Sequence, residues 1–271
     1  MENIIEHDNS WRGYWSNKKN GGHRYSDEAF LCKEAKEKLF HLDGGKNLLD
    51  FGCGSADLLK YYIPHYNIII GADFSQSMLD EAKTNIDRLY GGELVIVQSI
   101  NAEFQSDRIS GESKRVYLVL SNEETVWTAI VSGIDRITAS QVLQYLSIEQ
   151  MDNFLLGASN KLSENGKIVL FDIIHPNEYI LFKFGFFSNG VSIYNILKYI
   201  GYKVTGVCRQ IIGRPKDILG NSFSPEIIES IANKYGFRTE FAQSMYYEYR
   251  YHAILTKRSS QKTGEPSLPP D

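Results

Sequence analysis

Cysteine is nearly missing from this chain: Cys32, Cys53 and Cys208 are the whole complement, odd in number and far apart. That argues against a disulfide framework and against a zinc site, and it suits a reducing compartment, so a cytoplasmic setting is expected. Basic excess is missing too. With 29 Lys and Arg against 33 Asp and Glu the net charge is −4, which leaves no cationic stripe, and no nucleic-acid partner is expected. No apolar run approaches the roughly 20 residues of a membrane span. The opening "MENIIEHDNSWRGYW" has no basic start followed by an apolar run, so no secretory leader is read there. Internal repeats are absent. Aromatic residues are plentiful, at 13% with 17 Tyr, which suits an aromatic-lined pocket as well as ordinary core packing.

Strand-like and helix-like segments alternate along the chain. "SDEAFLCKEAKEKLFHL" reads as a helix with Ser26 as N-cap and Phe30, Leu31, Ala35, Leu39 and Leu42 at helical spacing. Strand-like "KNLLDF", "NIIIGADF" and "ELVIVQ" follow, separated by a helix stopped at Pro64 and by one capped at Ser75. "IDRITAS" and "GKIVLFDII" are further strands, and between them "SIEQMDNFLLGASNKL" opens with a capping box from Ser147 to Gln150. Near-continuous apolar strands alternating with helices predict a parallel sheet covered on both faces. "FRTEFAQ" and "MYYEYRYHAIL" are too close together for a helical crossover, so they are expected to pair antiparallel. Three divisions follow: residues 1–45 as an N-terminal cap, 46–256 as the main domain with a lid inserted at 175–222, and 257–271 as a disordered tail.

The chemistry starts at "DFGCGSAD". Gly52 and Gly54 stand where a strand gives way to a helix, and without side chains they permit a tight turn and close approach of backbone to a ligand. Asp50, two residues before the first glycine, would repel a phosphate and welcome a cation or hydroxyls. Asp73 ends the second strand, where a carboxylate can accept hydrogen bonds from both ribose hydroxyls. Asn101, with the backbone of Ala102, follows "ELVIVQ" and would read an adenine edge. A cation with an adenosine part and no phosphate fits S-adenosylmethionine.

With these motifs the sequence resembles class I S-adenosylmethionine-dependent methyltransferases of the small-molecule type. "LLDFGCGSAD" matches the family's Gly-rich motif and "GADFSQSML", with Phe74 after the acid, its second acidic motif. "IDRITASQVLQYLS" is similar to the fourth-strand motif that lines the methyl-transfer site, and the terminal antiparallel pair is a family trait. Departures are Ala56 in place of a third glycine, Asn101 in place of the usual Asp, and a long stretch over 103–133 that the motif pattern does not explain. The resemblance implies an α/β fold, doubly wound, with a mostly parallel seven-stranded sheet and an antiparallel terminal strand. It implies S-adenosylmethionine as cofactor, no metal, and in-line displacement in which the O- or N-nucleophile of a small-molecule acceptor attacks the sulfonium methyl group and the thioether leaves. Gln141 would lie beside the methionine part, and Tyr14 and Arg24 would close the pocket from the N-terminal cap, Arg24 on the cofactor carboxylate. Cys53 sits among ligand-facing neighbours, and Met78 would pack under adenine.

For the acceptor side, His175 follows a strand at its ligand-binding end and is the candidate general base. Tyr25, Tyr145, Glu178, Phe182 and Phe186 are candidate substrate contacts. Two other readings stay open: a relative that binds the cofactor without turning it over, and a nicotinamide-dependent oxidoreductase using the same turn. The sequence leaves the oligomeric state open.

Overall fold

The computed structural model describes residues 27–91, 95–98, 114–128, 130, 133–183, 196, 197, 200 and 221–258. Strand β1 (Asn47–Phe51) lies in mid-sheet, flanked in parallel by β2 (Ile68–Asp73) and β5 (Ile134–Ser140). Outside β2 come β4 (Arg115–Leu120) and then β3 (Val95–Gln98), both parallel. On the other side β6 (Leu162–Ile174) continues the parallel set. Strand β8 (Arg250–Lys257) pairs antiparallel with both β6 and β7 (Phe237–Gln243), so β8 alone opposes the rest. The order is β3-β4-β2-β1-β5-β6-β8-β7. This is the expected doubly wound, mostly parallel sheet with an antiparallel terminal strand, eight strands wide.

The extra strand changes which segment neighbours β2. Sequence reading took "ELVIVQ" as the third strand and gave 103–133 no register; the structure sets β4, from that stretch, beside β2, paired from Ile68↔Arg115 to Asp73↔Leu120. Both segments are apolar runs of strand length, and a local pattern does not say which neighbour a strand takes.

Alternate residues of the strands feed two cores. Leu48, Ile69 and Val169 face α1 (Glu28–Leu42), α2 (Leu59–Tyr62) and α3 (Gln76–Tyr90), with Leu31, Leu59 and Leu79 packed against them. Leu49, Ile70 and Ile168 face the opposite layer, where α4 (Ile148–Lys161) and α6 (Pro225–Lys234) contribute Phe154 and Ile228. Full burial of each such side chain contributes about 1.5–3 kcal/mol. A further helix, α5 (Pro176–Lys183), follows β6. The capping box of α4 is present, with Ser147 and Gln150 each satisfying the other's backbone N–H. Helix α1 is capped by Asp27, whose Oδ1 accepts the Phe30 N–H.

Helix α1 buries Leu31, Ala35 and Leu42 of its expected apolar stripe, and it buries charged residues beside them. Phe40 on it is 78% exposed, whereas Glu34, Glu37 and Lys38 are buried against the sheet. Among the described residues no helix is long and apolar enough to cross a membrane.

Candidate active site

The site is assembled at the carboxyl ends of the parallel strands. Leaving β1, the chain turns through Gly52 (φ 76°) and Gly54 (φ 53°). A Cβ on Gly52 would lie 2.3 Å from Val142 Cγ2, so that position admits only glycine without a shift. The N–H groups of Gly52 and Cys53 both donate to the Ala72 carbonyl, at 2.7 and 3.1 Å, tying the loop to the end of β2. Ala56 holds a left-handed φ of 65° and is fully buried.

Asp73 clasps this loop from the other side. Its Oδ2 accepts the Gly54 N–H and its Oδ1 the Ser75 N–H, each at 2.9 Å. Burial pushes its carboxyl above the ordinary range, and the N–H groups of Ser75, Gly54 and Phe74 offset part of that rise. After β4 the chain reaches Ser121, whose N–H donates to the Asp73 carbonyl at 2.9 Å. Asn122 Oδ1 then accepts the Glu124 and Thr125 N–H groups, and Glu123 Oε1 accepts from Gln150 Nε2 at 2.6 Å. From β5 come Ser140 and Gln141.

These segments enclose a cavity of about 280 Å³. Nine of the sequence-predicted residues line it together: Asp50, Gly52, Cys53, Gly54, Asp73, Phe74, Met78, Gln141 and Tyr145. His175, Glu178 and Phe182 are not among the lining residues. The His175 N–H donates to the Tyr249 carbonyl and its Nδ1 accepts the Glu178 N–H at 3.3 Å; the Phe182 ring lies 4.4 Å from that of Tyr249. Tyr14, Arg24, Tyr25, Asn101, Ala102 and Phe186 lie outside the described residues.

Sequence reading passed over Asp57, Ser121, Asn122, Glu123, Ser140 and Gln150, which also line the cavity. A usable signal existed: "VYLVLSNEE" ends an apolar run in polar residues, as "NLLDFG" and "IIIGADF" do. Among the described residues, the charged ones that line it, Asp50, Asp57, Asp73 and Glu123, are acids. The Ser121 and Ser140 hydroxyls are buried there and find no hydrogen-bond partner among the described residues. Acids, unpaired hydroxyls and a glycine cradle fit a cationic, hydroxyl-bearing ligand and oppose a pyrophosphate.

Residues 49–168 match the family model described as a methyltransferase domain. That match covers somewhat less than half of the chain and spans the strands that build the cavity. The sheet described above is the class I methyltransferase type of fold. A search of curated proteins finds no match. Among solved structures, magnesium protoporphyrin IX methyltransferase from Synechocystis PCC 6803, with bound SAH, is 14% identical at a TM-score of 0.52, covering 85% of this chain and 83% of that one. The pyocyanin biosynthetic protein PhzM is 14% identical at a TM-score of 0.55; 92% of this chain is covered but 62% of that protein. A mycolic acid cyclopropane synthase complexed with SAH and CTAB is 16% identical at 0.51, with 82% and 67% covered. At these identities the likeness is one of fold.

A buried polar network meets the cavity at Gln141, whose Nε2 donates to Glu34 Oε1. Lys38 Nζ reaches Asp172 Oδ2 at 2.5 Å and Glu34 Oε1 at 3.2 Å, all three nearly inaccessible. Burial would raise the Asp172 carboxyl, but the Lys38 ammonium, with the Arg250 guanidinium, draws it down to about 2. Glu37, His41 and His252 gather close enough to suggest a metal site. The hydrogen bonds argue otherwise: His252 Nδ1 accepts the Asp172 N–H at 3.1 Å, so Nε2 carries the proton and donates it to Glu37 Oε1 at 3.1 Å. A protonated nitrogen is no ligand.

Proposed function

We propose that the protein transfers the methyl group of S-adenosylmethionine to a small-molecule acceptor bearing an oxygen or nitrogen nucleophile. The observation that carries the reading is the cavity at the ends of β1, β2, β4 and β5, with acids as its charged lining beside a glycine cradle. In this assignment Asp73 accepts from the ribose hydroxyls while still holding Gly54. Ser121 and Asn122 face the base, taking the part that sequence reading gave to Asn101 and Ala102. Asp50 and Gln141 meet the amino-acid end. S-adenosylmethionine supplies an already activated methyl group on a sulfonium.

The protein's own work is therefore alignment and exclusion of water, which can supply about 7–11 kcal/mol of the barrier. Tyr145, Val142 and Leu146 offer an apolar part of the cavity's lining. An amine acceptor needs no base once neutral; a hydroxyl would need one. We do not assign that base to His175, whose Nδ1 lone pair is engaged by the Glu178 N–H. The acidic sequence supports a small acceptor over nucleic acid, and the unpaired Cys32 and Cys53 support a cytoplasmic setting. Calorimetric titration with S-adenosylmethionine, S-adenosylhomocysteine and NAD tests the reading. Micromolar binding of the two adenosyl ligands and none of NAD is expected; binding of NAD alone would overturn it. Release of S-adenosylhomocysteine with an amine or phenol acceptor would separate an enzyme from a silent binder.

A further inference from the structure

We propose that Glu34 is a positioning residue for cofactor binding: it turns the Gln141 amide so that its carbonyl oxygen faces the cavity and accepts from the α-ammonium group of a bound S-adenosyl ligand. The proposal rests on the cofactor reading above. Gln141 follows β5 in the left-handed region, at φ 57°. Such a conformation costs a non-glycine residue about 1–2 kcal/mol, so its surroundings must hold it. Two groups do. The Gln141 N–H donates to the Phe171 carbonyl at 3.1 Å, and Gln141 Nε2 donates to Glu34 Oε1 over a long 3.5 Å.

A carboxylate that is paired with an ammonium only accepts, so it selects the NH₂ end of the amide and leaves Oε1 on the other side. Glu34 is itself fixed. Lys38 bridges it to Asp172, which directly follows Phe171 and also has a φ of 57°, where the β6–β8 register shifts. One unit thus holds Gln141 at both ends: its main chain through Phe171 and its side chain through Glu34, with Lys38 joining the two. The sheet order supplies the direction. Asp73 on β2 and Gln141 after β5 lie on opposite sides of the glycine loop after β1. With ribose at Asp73, the amino-acid end of the ligand falls towards Gln141.

The test compares two ligands that differ in that end. S-adenosylhomocysteine carries the ammonium group; 5′-methylthioadenosine keeps the adenosine thioether and lacks the amino-acid part. Both are titrated calorimetrically into wild-type protein, Glu34→Gln and Gln141→Leu. Glu34→Gln preserves volume and leaves Lys38 on Asp172, so folding should survive. Each variant is expected to lose about tenfold or more in affinity for S-adenosylhomocysteine, the scale of one hydrogen bond to a charged group. Affinity for 5′-methylthioadenosine should stay within about twofold, and the double variant should lose no more than the worse single one. Gln141→Glu, which sets a second carboxylate against Glu34 without altering α1, should show the same ligand-selective loss if Glu34→Gln does not fold. Equal losses for both ligands would reduce Glu34 to a structural residue and overturn the proposal, as would unchanged binding of S-adenosylhomocysteine. Wild-type protein that binds neither ligand would overturn the cofactor reading as well.

Discussion

Replacing Asp73 by Asn probes the point where fold and ligand compete for the same carboxylate. Both oxygens already accept a backbone N–H at 2.9 Å, from Gly54 and from Ser75. Each keeps a second lone pair for a ribose hydroxyl. Asn offers one oxygen and one NH₂, so whichever way it turns one backbone N–H meets a donor. Leaving such a buried group unpaired costs about 1–3 kcal/mol. Against this, the substitution removes a charge from a place where burial already holds the carboxyl above its ordinary value of 3.8. The two effects oppose, and the expected net loss of stability is at most about 2 kcal/mol, a few degrees in melting temperature. Binding has no such compensation. Losing a charge-assisted hydrogen bond to ribose should weaken S-adenosylhomocysteine about 10- to 100-fold.

The pH dependence has two opposite signs. The folded-state pKa of Asp73 is raised, so its contribution to stability falls as pH climbs from 3.8 through the raised value. Cofactor affinity rises over the same interval, because the ionised form is the better acceptor. Calorimetry gives the affinity and thermal denaturation the stability. Asp73→Asn that binds S-adenosylhomocysteine within twofold of wild type would refute the reasoning.

Three further outcomes are expected. Gly52→Ala should destabilise by about 2–4 kcal/mol and abolish measurable cofactor binding, since its Cβ would meet Val142 Cγ2 at 2.3 Å with φ at 76°; denaturant titration beside calorimetry checks both. Lys38→Met should cost about 3–5 kcal/mol in urea unfolding, because it strands Glu34 and Asp172 as buried charges. Asp172, held near 2 against 3.8 when unfolded, should contribute about 2 kcal/mol that is present above pH 3.8 and lost as pH falls through 2. Unfolding midpoints of wild type measured from pH 5 downwards should show that loss, and Asp172→Asn should flatten it.

What could be read in the sequence was local. The glycine turn after β1, the acid ending β2, the capping box of α4 and the antiparallel strand at the chain's end each depend on residues a few positions apart. Their physical causes, steric freedom at glycine, hydrogen bonding at a helix start and the short link between two strands, act within a short stretch of chain. The β4 side of the cavity was not legible in that way. Two segments with the same apolar pattern compete for the edge of β2, and only the pairing from Ile68↔Arg115 to Asp73↔Leu120 brings "SNE" to the cavity.

Helix α1 makes the same point. Its apolar spacing predicts a greasy face, yet Glu34, Glu37 and Lys38 go inward because their partners come from far along the chain: Gln141, Asp172, Met245 and His252. A buried charge is tolerable only with its partner in place, and a partner more than a hundred residues away is invisible to any reading of local pattern. The sequence alone settled the glycine turn after β1 and the class of sheet. Which segment lies beside β2, which charges go inside and which way the Gln141 amide faces were settled by tertiary contacts, since each depends on groups that meet only when the sheet has formed.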